Sequence, residues 1–209
     1  MRLSVSLPCY LRPQRTKRAI DCVMNQTING WELLIGGDCC PNINALLESG
    51  YFAELSRICE ERGNKLVAYN LPTNNKGYGY AITNENIKRA TGEYFTFFAN
   101  DDMLKPNHFE NYLNPMESDR SVDMGVFKTY LEPFGGDKEP ILNFGEVGHS
   151  QLIIKTSVAQ SVPPHSPNYD HDWVFIKSII DSKANVRLFH NPSTYIVKSV
   201  PTKLEVGID

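Results

Sequence analysis

The sequence lacks two features that would suggest a membrane or a nucleic acid as partner. It has no apolar run near the ~20 residues that a bilayer-spanning helix needs. Basic residues are not in excess, since 21 Lys and Arg stand against 24 Asp and Glu for a net charge of −3. Composition therefore indicates no membrane span and no general affinity for polyanions. The opening segment MRLSVSLPCY is also too short for a secretory signal.

Cysteine is scarce, and its five positions follow no metal-binding spacing. An odd number of cysteines argues against a closed disulfide framework, so we expect reduced thiols and a cytoplasmic protein. No Cys/His cluster is apparent, which argues against structural zinc. Four histidines show no spacing typical of metal ligands: His108, His165, His171 and His190.

Glycine-rich phosphate loops are missing after the first predicted strand. Neither G-x-G-x-x-G nor G-x-x-x-x-G-K-[ST] occurs there, so the usual dinucleotide and P-loop interpretations lack their residues.

Apolar segments alternate with amphipathic ones over the first half of the chain. The spacing of apolar residues, with glycine and proline as interruptions, predicts strands at 2–7, 31–35, 65–69 and 93–99. It predicts helices at 14–25, 45–62 and 80–90. This alternation predicts βαβ units, and hence a parallel sheet with right-handed crossovers.

The pattern changes near residue 121. Strand-like pieces at 123–128, 139–145 and 149–155 precede a predicted helix at 172–182, and two short strands follow near Val186 and Ile196. We expect residues 1–120 and 121–209 to be two halves of one domain, with the second half extending the sheet.

Ligands of open parallel sheets bind beyond the carboxyl ends of the strands. The first strand ends at Tyr10, the second at Asp38, and the fourth at Asp101 and Asp102. We therefore expect one aromatic side chain and three carboxylates in one crevice. The alternative for the acidic pair is a turn at a strand end, which is a common use of Asn and Asp.

Four segments in this order resemble the family 2 glycosyltransferases of GT-A fold: VSLPCYLRP, RAIDCVMNQT, WELLIGGD and ATGEYFTFFANDD. The resemblance is close over about residues 3–107 and looser over about 148–180. It implies an α/β fold with a Rossmann-like, mostly parallel sheet flanked by helices, and a smaller mixed region on the acceptor side. The first half would then bind the nucleotide sugar.

The resemblance assigns nucleotide contacts to the first half. Pro8 and Tyr10 match the turn whose aromatic residue packs on the base, and Asp38 matches the carboxylate that reads the base. Gly37 stands where the family often has a first acid. The family's Ala-Arg-Asn reads Ile82-Thr83-Asn84, which keeps Asn84 but lacks the arginine, so Lys76 is the candidate replacement.

The resemblance also implies a Mn²⁺ or Mg²⁺ cofactor at the acidic pair. Asp102 is the first choice as metal ligand, and Asp101 is the second ligand and a ribose contact. Ala99 and Asn100 depart from the commoner residues of this motif. Hard carboxylate oxygens suit these cations, which would neutralise charge on a departing diphosphate.

On the acceptor side, Asp172 matches the family's general base, with Asp170 as the alternative. Either carboxylate can instead cap the helix that follows. His149 is a candidate for acceptor or diphosphate contact, although a lone histidine is more often structural. Trp173 is a candidate for sugar stacking or for the core, and Lys198 for the diphosphate.

These matches imply an inverting transferase that moves a sugar from a nucleotide diphosphate, UDP above all, to an acceptor hydroxyl. The acceptor stays open among a saccharide, a lipid carrier, a protein and a modified nucleobase. Two alternatives are a non-catalytic sugar-nucleotide binder and a nucleotidyltransferase, and the missing phosphate loop weakens the second.

Overall fold

A computed structural model describes residues 1–76 and 79–198 of the chain. Within them, eleven strands form one sheet of seven and one of four. The strands are β1 Leu3–Cys9, β2 Trp31–Asp38, β3 Lys65–Leu71, β4 Tyr94–Phe97, β5 Met103–Leu104, β6 Met124–Phe127, β7 Thr129–Leu131, β8 Gly136–Lys138, β9 Leu152–Lys155, β10 Val186–Phe189 and β11 Tyr195–Val197.

The large sheet is mostly parallel, as predicted. Its order is β10-β6-β9-β4-β1-β2-β3, and only β9 runs antiparallel to both of its neighbours. Strand β1 lies between β2 and β4 and is parallel to both. The chain moves outward from β1 to β3 and then returns to β4 on the other side of β1. This reversal places a ligand crevice at the carboxyl ends of β1, β2 and β4.

Helices cover the sheet on both faces. They are α1 Pro13–Met24, α2 Pro41–Glu48, α3 Tyr51–Glu61, α4 Tyr80–Arg89, α5 His108–Ser118, α6 Thr156–Ser161 and α7 His171–Asp181. Two apolar clusters fill the layers: one includes Leu3, Val23 and Tyr112, and the other includes Phe95, Ile154 and Phe175.

Two strands run further than the sequence predicted. Strand β1 continues through Pro8 to Cys9, although proline was expected to end it. Strand β2 continues through the two glycines to Asp38. A Cβ at Gly36 would lie 2.4 Å from the Ile82 side chain, so α4 packs on the sheet only because this position has no side chain. The extension places Asp38 at the true end of the strand.

Several other expectations are wrong. The predicted helix at 45–62 is two helices, separated at Gly50, whose left-handed φ of 78° breaks the first. The described segment 139–145 contains no strand, and helices α5 and α6 were not predicted. The strands after residue 121 have at most four residues each, so their periodic signal is weak.

The small sheet brings the chain's last described segment back to the crevice. Strand β11 pairs antiparallel with β5, which follows the acidic pair, and parallel with β7. The pairing opposes Tyr195 to Leu104. Side chains and backbone of 195–198 thereby reach Asp102.

Within residues 1–76 and 79–198, no helix has the length and apolarity that crossing a bilayer requires. All five cysteines are free thiols.

His108, at the start of α5, makes the stability of the fold depend on pH. Burial lowers its pKa to about 3, whereas in an unfolded chain a histidine takes up a proton near pH 6.5. Below pH 6.5 the unfolded state therefore binds more protons, and stability falls as the pH falls.

Replacing His108 by Gln should flatten this dependence by roughly 1.4 kcal/mol per pH unit between pH 6 and 4.5. Urea unfolding at several pH values measures the slope. The exposed His190 serves as the comparison, since His190→Gln also removes one histidine but not a buried one. Equal slopes in the parent and in a natively folded His108→Gln variant would contradict the prediction.

Candidate active site

A cleft of about 1450 Å³ opens at the carboxyl ends of the strands. Its lining comes from the loops after β1, β2 and β4, from residues 148–150 and from the start of α7. Of the residues singled out in the sequence, the lining includes Pro8, Tyr10, Asp38, Lys76, Asp101, Asp102, His149 and Asp172. The aromatic ring and the three carboxylates at the strand ends thus border one crevice.

The loop after β1 presents a ring and cations to the cleft. Tyr10 is 49% exposed, which leaves its ring accessible to a flat ligand. Leu11 and Arg12 adopt left-handed φ values of 52° and 56°, an unusual conformation for residues other than glycine. Such strained residues are often found at functional sites. The turn directs the Arg12 guanidinium to Asp101, with Nη1 3.0 Å from Oδ2.

Asp38 fixes the loop that follows β3. Both of its carboxylate oxygens accept from the backbone N–H of Asn75, at 3.0 and 3.1 Å, and Oδ1 also accepts from the Asn75 side chain at 2.7 Å. Lys76 comes next, with a left-handed φ of 47°, and lines the cleft. The carboxylate therefore both borders the cleft and positions a cation there.

Asp102 is a buried carboxylate with two protein donors. Its Oδ2 accepts from the Tyr195 hydroxyl at 2.9 Å, and its Oδ1 accepts from the backbone N–H of Lys198 at 3.0 Å. Burial raises the pKa of Asp102 to about 6, and the neighbouring Asp101 adds to the rise. The Lys198 side chain points away, to Glu132.

These residues fit a hard divalent cation. Asp102 carries oxygen donors, lies at the edge of the cleft, and is insufficiently neutralised, as its raised pKa indicates. Each carboxylate oxygen has two lone pairs, so one remains on each oxygen after its protein donor is counted. Asp101 is the weaker candidate because Arg12 already pairs with it.

Asp172 also lines the cleft, at the second position of α7, and two histidines lie close to its carboxylate. The Nδ1 atoms of His149 and His171 each lie 3.0 Å from its Oδ1, and the His149 backbone N–H donates to Oδ2 at 3.3 Å. Burial raises the pKa of this carboxyl, but the two histidines lower it by more, so the net pKa is well below the usual range. Asp172 is therefore an ionised carboxylate and not a helix cap.

His149 is not the lone histidine that the sequence suggested. Its Nε2 lies 2.8 Å from Nε2 of His165, and ring nitrogens of His149, His165 and His171 lie within 4.8 Å of one another. The expectation that the chain has no Cys/His cluster is wrong. Positions 149, 165 and 171 share no period, so folding alone brings them together.

Three of the predicted residues are not part of the cleft lining that the structure describes: Asn84, Asp170 and Trp173. Asn84 hydrogen-bonds to His165 instead. Asp170 precedes α7 and is exposed, and its side chain makes no capping bond within the described chain. Trp173 packs against the second apolar cluster and contacts the ring of Phe144 edge-on.

The family model "Glycosyl transferase family 2" matches residues 4–180, which is most of the chain. The chain belongs to this family.

Two curated relatives are similar to part of the family 2 chain. An uncharacterized glycosyltransferase of Rickettsia typhi is 25% identical over 128 residues, covering 61% of this chain and 36% of the relative. The putative colanic acid biosynthesis glycosyl transferase WcaA of Escherichia coli is 29% identical over 111 residues, covering 53% of this chain and 36% of the relative. The chain thus spans about a third of the length of these relatives.

Two solved structures share the fold. S. aureus TarS in complex with UDP-GlcNAc superposes with a TM-score of 0.73 at 17% identity, over 97% of this chain and 60% of TarS. The mannosyltransferase PcManGT of Pyrobaculum calidifontis, in complex with GDP-Man and Mn²⁺, superposes with a TM-score of 0.69 at 12% identity, over 97% of this chain and 58% of that one. These likenesses confirm the predicted GT-A type fold.

In this family 2 chain, a steric constraint explains why position 37 is a glycine where the family often has an acidic residue. A Cβ there would lie 2.3 Å from Oδ1 of Asn70 and 3.0 Å from Cβ of Ile43. The Asn70 amide cannot simply move, since it accepts from the Cys40 backbone N–H and donates to the Cys40 carbonyl, both at 2.9 Å. Asn70 thus occupies the space that an acid at position 37 would need.

Ala99 departs from the family pattern without such a constraint. Its side chain is exposed in the cleft, and its backbone N–H donates to the Tyr195 hydroxyl at 3.1 Å. That hydroxyl in turn donates to Asp102.

Sequence reasoning missed five residues of the cleft region. Arg12 and Arg15 follow the first strand closely, so their position near its end was a usable signal that they border the cleft. Tyr195 gave no such signal, because only the pairing of β11 with β5 places it against Asp102. The remaining two are His165 and His171.

Substitutions at Gly37 and Ala99, the two positions that depart from the family pattern, should have different effects on stability. Gly37→Ala should lower the free energy of unfolding by about 1–3 kcal/mol, because the added methyl overlaps a fixed amide. Ala99→Asp should change it by less than about 1 kcal/mol, since this position is exposed. Urea denaturation of both variants makes the comparison. A Gly37→Ala variant as stable as the parent would refute the steric explanation.

Proposed function

We propose that the chain transfers a sugar from a nucleotide diphosphate, UDP being the preferred one, to an acceptor hydroxyl with inversion at the anomeric carbon. The observation that carries the proposal is the presence of two carboxylates from distant parts of the chain in the lining of one cleft. Asp102 comes from the segment after β4, and Asp172 comes from α7. One can serve a departing diphosphate and the other an attacking hydroxyl.

In this proposal, the donor lies along the ends of β1, β2 and β4. Tyr10 stacks on the base and Asp38 accepts from it, which the exposure of the ring and the cleft position of the carboxylate support. The side chains of Arg12, Arg15 and Lys76 line the same region. Their charges suit the oxygens of a diphosphate. The structure of TarS with UDP-GlcNAc supports UDP as the donor class.

Mn²⁺ or Mg²⁺ would be held by Asp102, with Asp101 as the second candidate. When bound, such a cation neutralises charge on the leaving diphosphate and helps to fix its geometry. The complex of PcManGT with Mn²⁺ supports a divalent cation in this fold.

Asp172 acts as the general base. Its carboxylate takes the proton of the acceptor hydroxyl as that oxygen forms a bond to the anomeric carbon. The bond from that carbon to the diphosphate oxygen breaks on the opposite face, and its electron pair leaves with UDP. The lowered pKa keeps Asp172 ionised and able to accept the proton.

Asp172→Asn should reduce the release of UDP from a UDP-sugar at least about 100-fold, because an amide cannot accept the proton. The Kd for UDP should stay within about threefold, since Asp172 lies on the acceptor wall. A coupled UDP-release assay and calorimetric titration with UDP measure the two quantities. Asp170→Asn is the matched control, two residues away and outside the described lining, and should keep parental turnover.

Equal turnover of the Asp172→Asn variant and the parent would refute the base assignment. Binding of UDP without release from any common UDP-sugar would instead favour a non-catalytic sugar-nucleotide binder.

Asp102→Asn should remove the part of the thermal stabilisation by UDP that depends on Mn²⁺, since it deletes the charged ligand. Differential scanning fluorimetry with UDP, with and without Mn²⁺, reports the difference in Tm. Asp119→Asn, which changes an exposed carboxylate paired with Arg187, is the control. A Mn²⁺-dependent shift of equal size in the Asp102→Asn variant would place the cation elsewhere.

A further inference from the structure

The geometry points to a second metal site, formed by His149, His165 and His171, that binds a transition-metal ion of the Zn²⁺ class. Imidazole nitrogens suit such ions, whereas Mg²⁺ and Mn²⁺ prefer carboxylate oxygens. The site is therefore chemically distinct from the one proposed at Asp102. It does not depend on the transfer reaction.

The hydrogen bonds of Asn84 determine which nitrogen of His165 carries a proton. The Asn84 Nδ2 donates to the His165 carbonyl at 2.9 Å, and its Oδ1 accepts from the His165 backbone N–H at 2.7 Å, which fixes the orientation of the amide. Nδ1 of the His165 ring lies 3.0 Å from the same Oδ1 and must donate to it. In the neutral ring, Nε2 therefore presents a lone pair.

His149 is constrained in the same way from the other side. Its Nδ1 lies 3.0 Å from a carboxylate oxygen of Asp172 and donates to it. In a neutral ring, the Nε2 then also presents a lone pair, and it lies 2.8 Å from Nε2 of His165. Two lone pairs at this distance repel each other unless a proton or a metal ion lies between them.

The third histidine favours a metal ion over a proton. A ring nitrogen of His171 lies within 4.8 Å of the other two, so three donors converge where a shared proton needs only two. Separating the facing nitrogens by about 0.5 Å would give the spacing of two nitrogens bonded to tetrahedral Zn²⁺. His149 and His171 line the cleft, which leaves an open side for a fourth ligand.

The surroundings resemble the outer shell of protein metal sites, where each ligating histidine donates its other N–H to an oxygen. Asp172 plays this part for His149, and Asn84 plays it for His165. Aromatic rings fix the planes of two of the imidazoles. Phe97 stacks on His149 with centroids 4.1 Å apart, and Phe175 stacks on His165 at the same distance.

The test is titration of the chelator-treated chain with Co²⁺, followed by visible absorption, without any sugar nucleotide. We expect d–d bands that saturate at one Co²⁺ per chain and that one equivalent of Zn²⁺ removes. His149→Gln and His165→Gln should each abolish the bands. Asn84→Ala should weaken Co²⁺ binding about 10- to 100-fold, as expected for the loss of an outer-shell partner.

Two control variants locate the ion. His190→Gln changes an exposed histidine outside the cluster and should leave the bands unchanged, and so should Asp102→Asn. Far-UV circular dichroism checks the folding of each variant. If His165→Gln unfolds, the result for His149→Gln decides the test, because His149 is only half-buried. The proposal is overturned if the parent shows no bands, or if a folded His149→Gln variant keeps them. It is equally overturned if Asp102→Asn abolishes them.

Discussion

One buried carboxylate, Asp102, connects the two halves of the chain at the cleft through hydrogen bonds. It ends the segment that follows β4, yet its hydrogen-bond donors, the Tyr195 hydroxyl and the Lys198 backbone, come from the last described segment. Removing a carboxylate from water is costly unless donors or a cation replace the solvent. The pairing of β11 with β5 supplies those donors, so the small sheet is what keeps this wall of the cleft in place.

The fold of the first half could be predicted because its strands are continuous apolar runs buried on both faces. Strand β2, for example, is buried along its whole length, and such a run is distinctive in a sequence. The exact ends could not be predicted, since neighbouring strands keep Pro8 within β1 against the local preference of proline. In the second half, strands of three or four residues carry too little periodicity. Helix α5, near the end of the first half, was missed altogether. The division into donor and acceptor halves stays a prediction.

The candidate site likewise has residues that could be predicted from the sequence and residues that could not. Side chains at the ends of predicted strands, such as Tyr10 and Asp38, could be placed in one crevice because parallel strands end at one edge of a sheet. Contacts between residues of distant loops could not be predicted. Asn84 belongs to a segment that resembles a family motif, but its amide hydrogen-bonds to His165, a residue 81 positions away. Tertiary packing alone decides such pairs, and no local pattern encodes them.

The hydrogen bonds around Asp172 also limit the direction from which a substrate can approach it. A carboxylate offers about four lone-pair positions. The Nδ1 atoms of His149 and His171 both lie 3.0 Å from Oδ1, and the His149 backbone N–H donates to Oδ2. Oδ2 therefore keeps a lone pair for an incoming hydroxyl, whereas Oδ1 faces the two rings. With Asp172 as the proposed base, this restriction would select one hydroxyl of an acceptor by its angle of approach rather than by its reactivity, so the proposed base would itself set the regioselectivity.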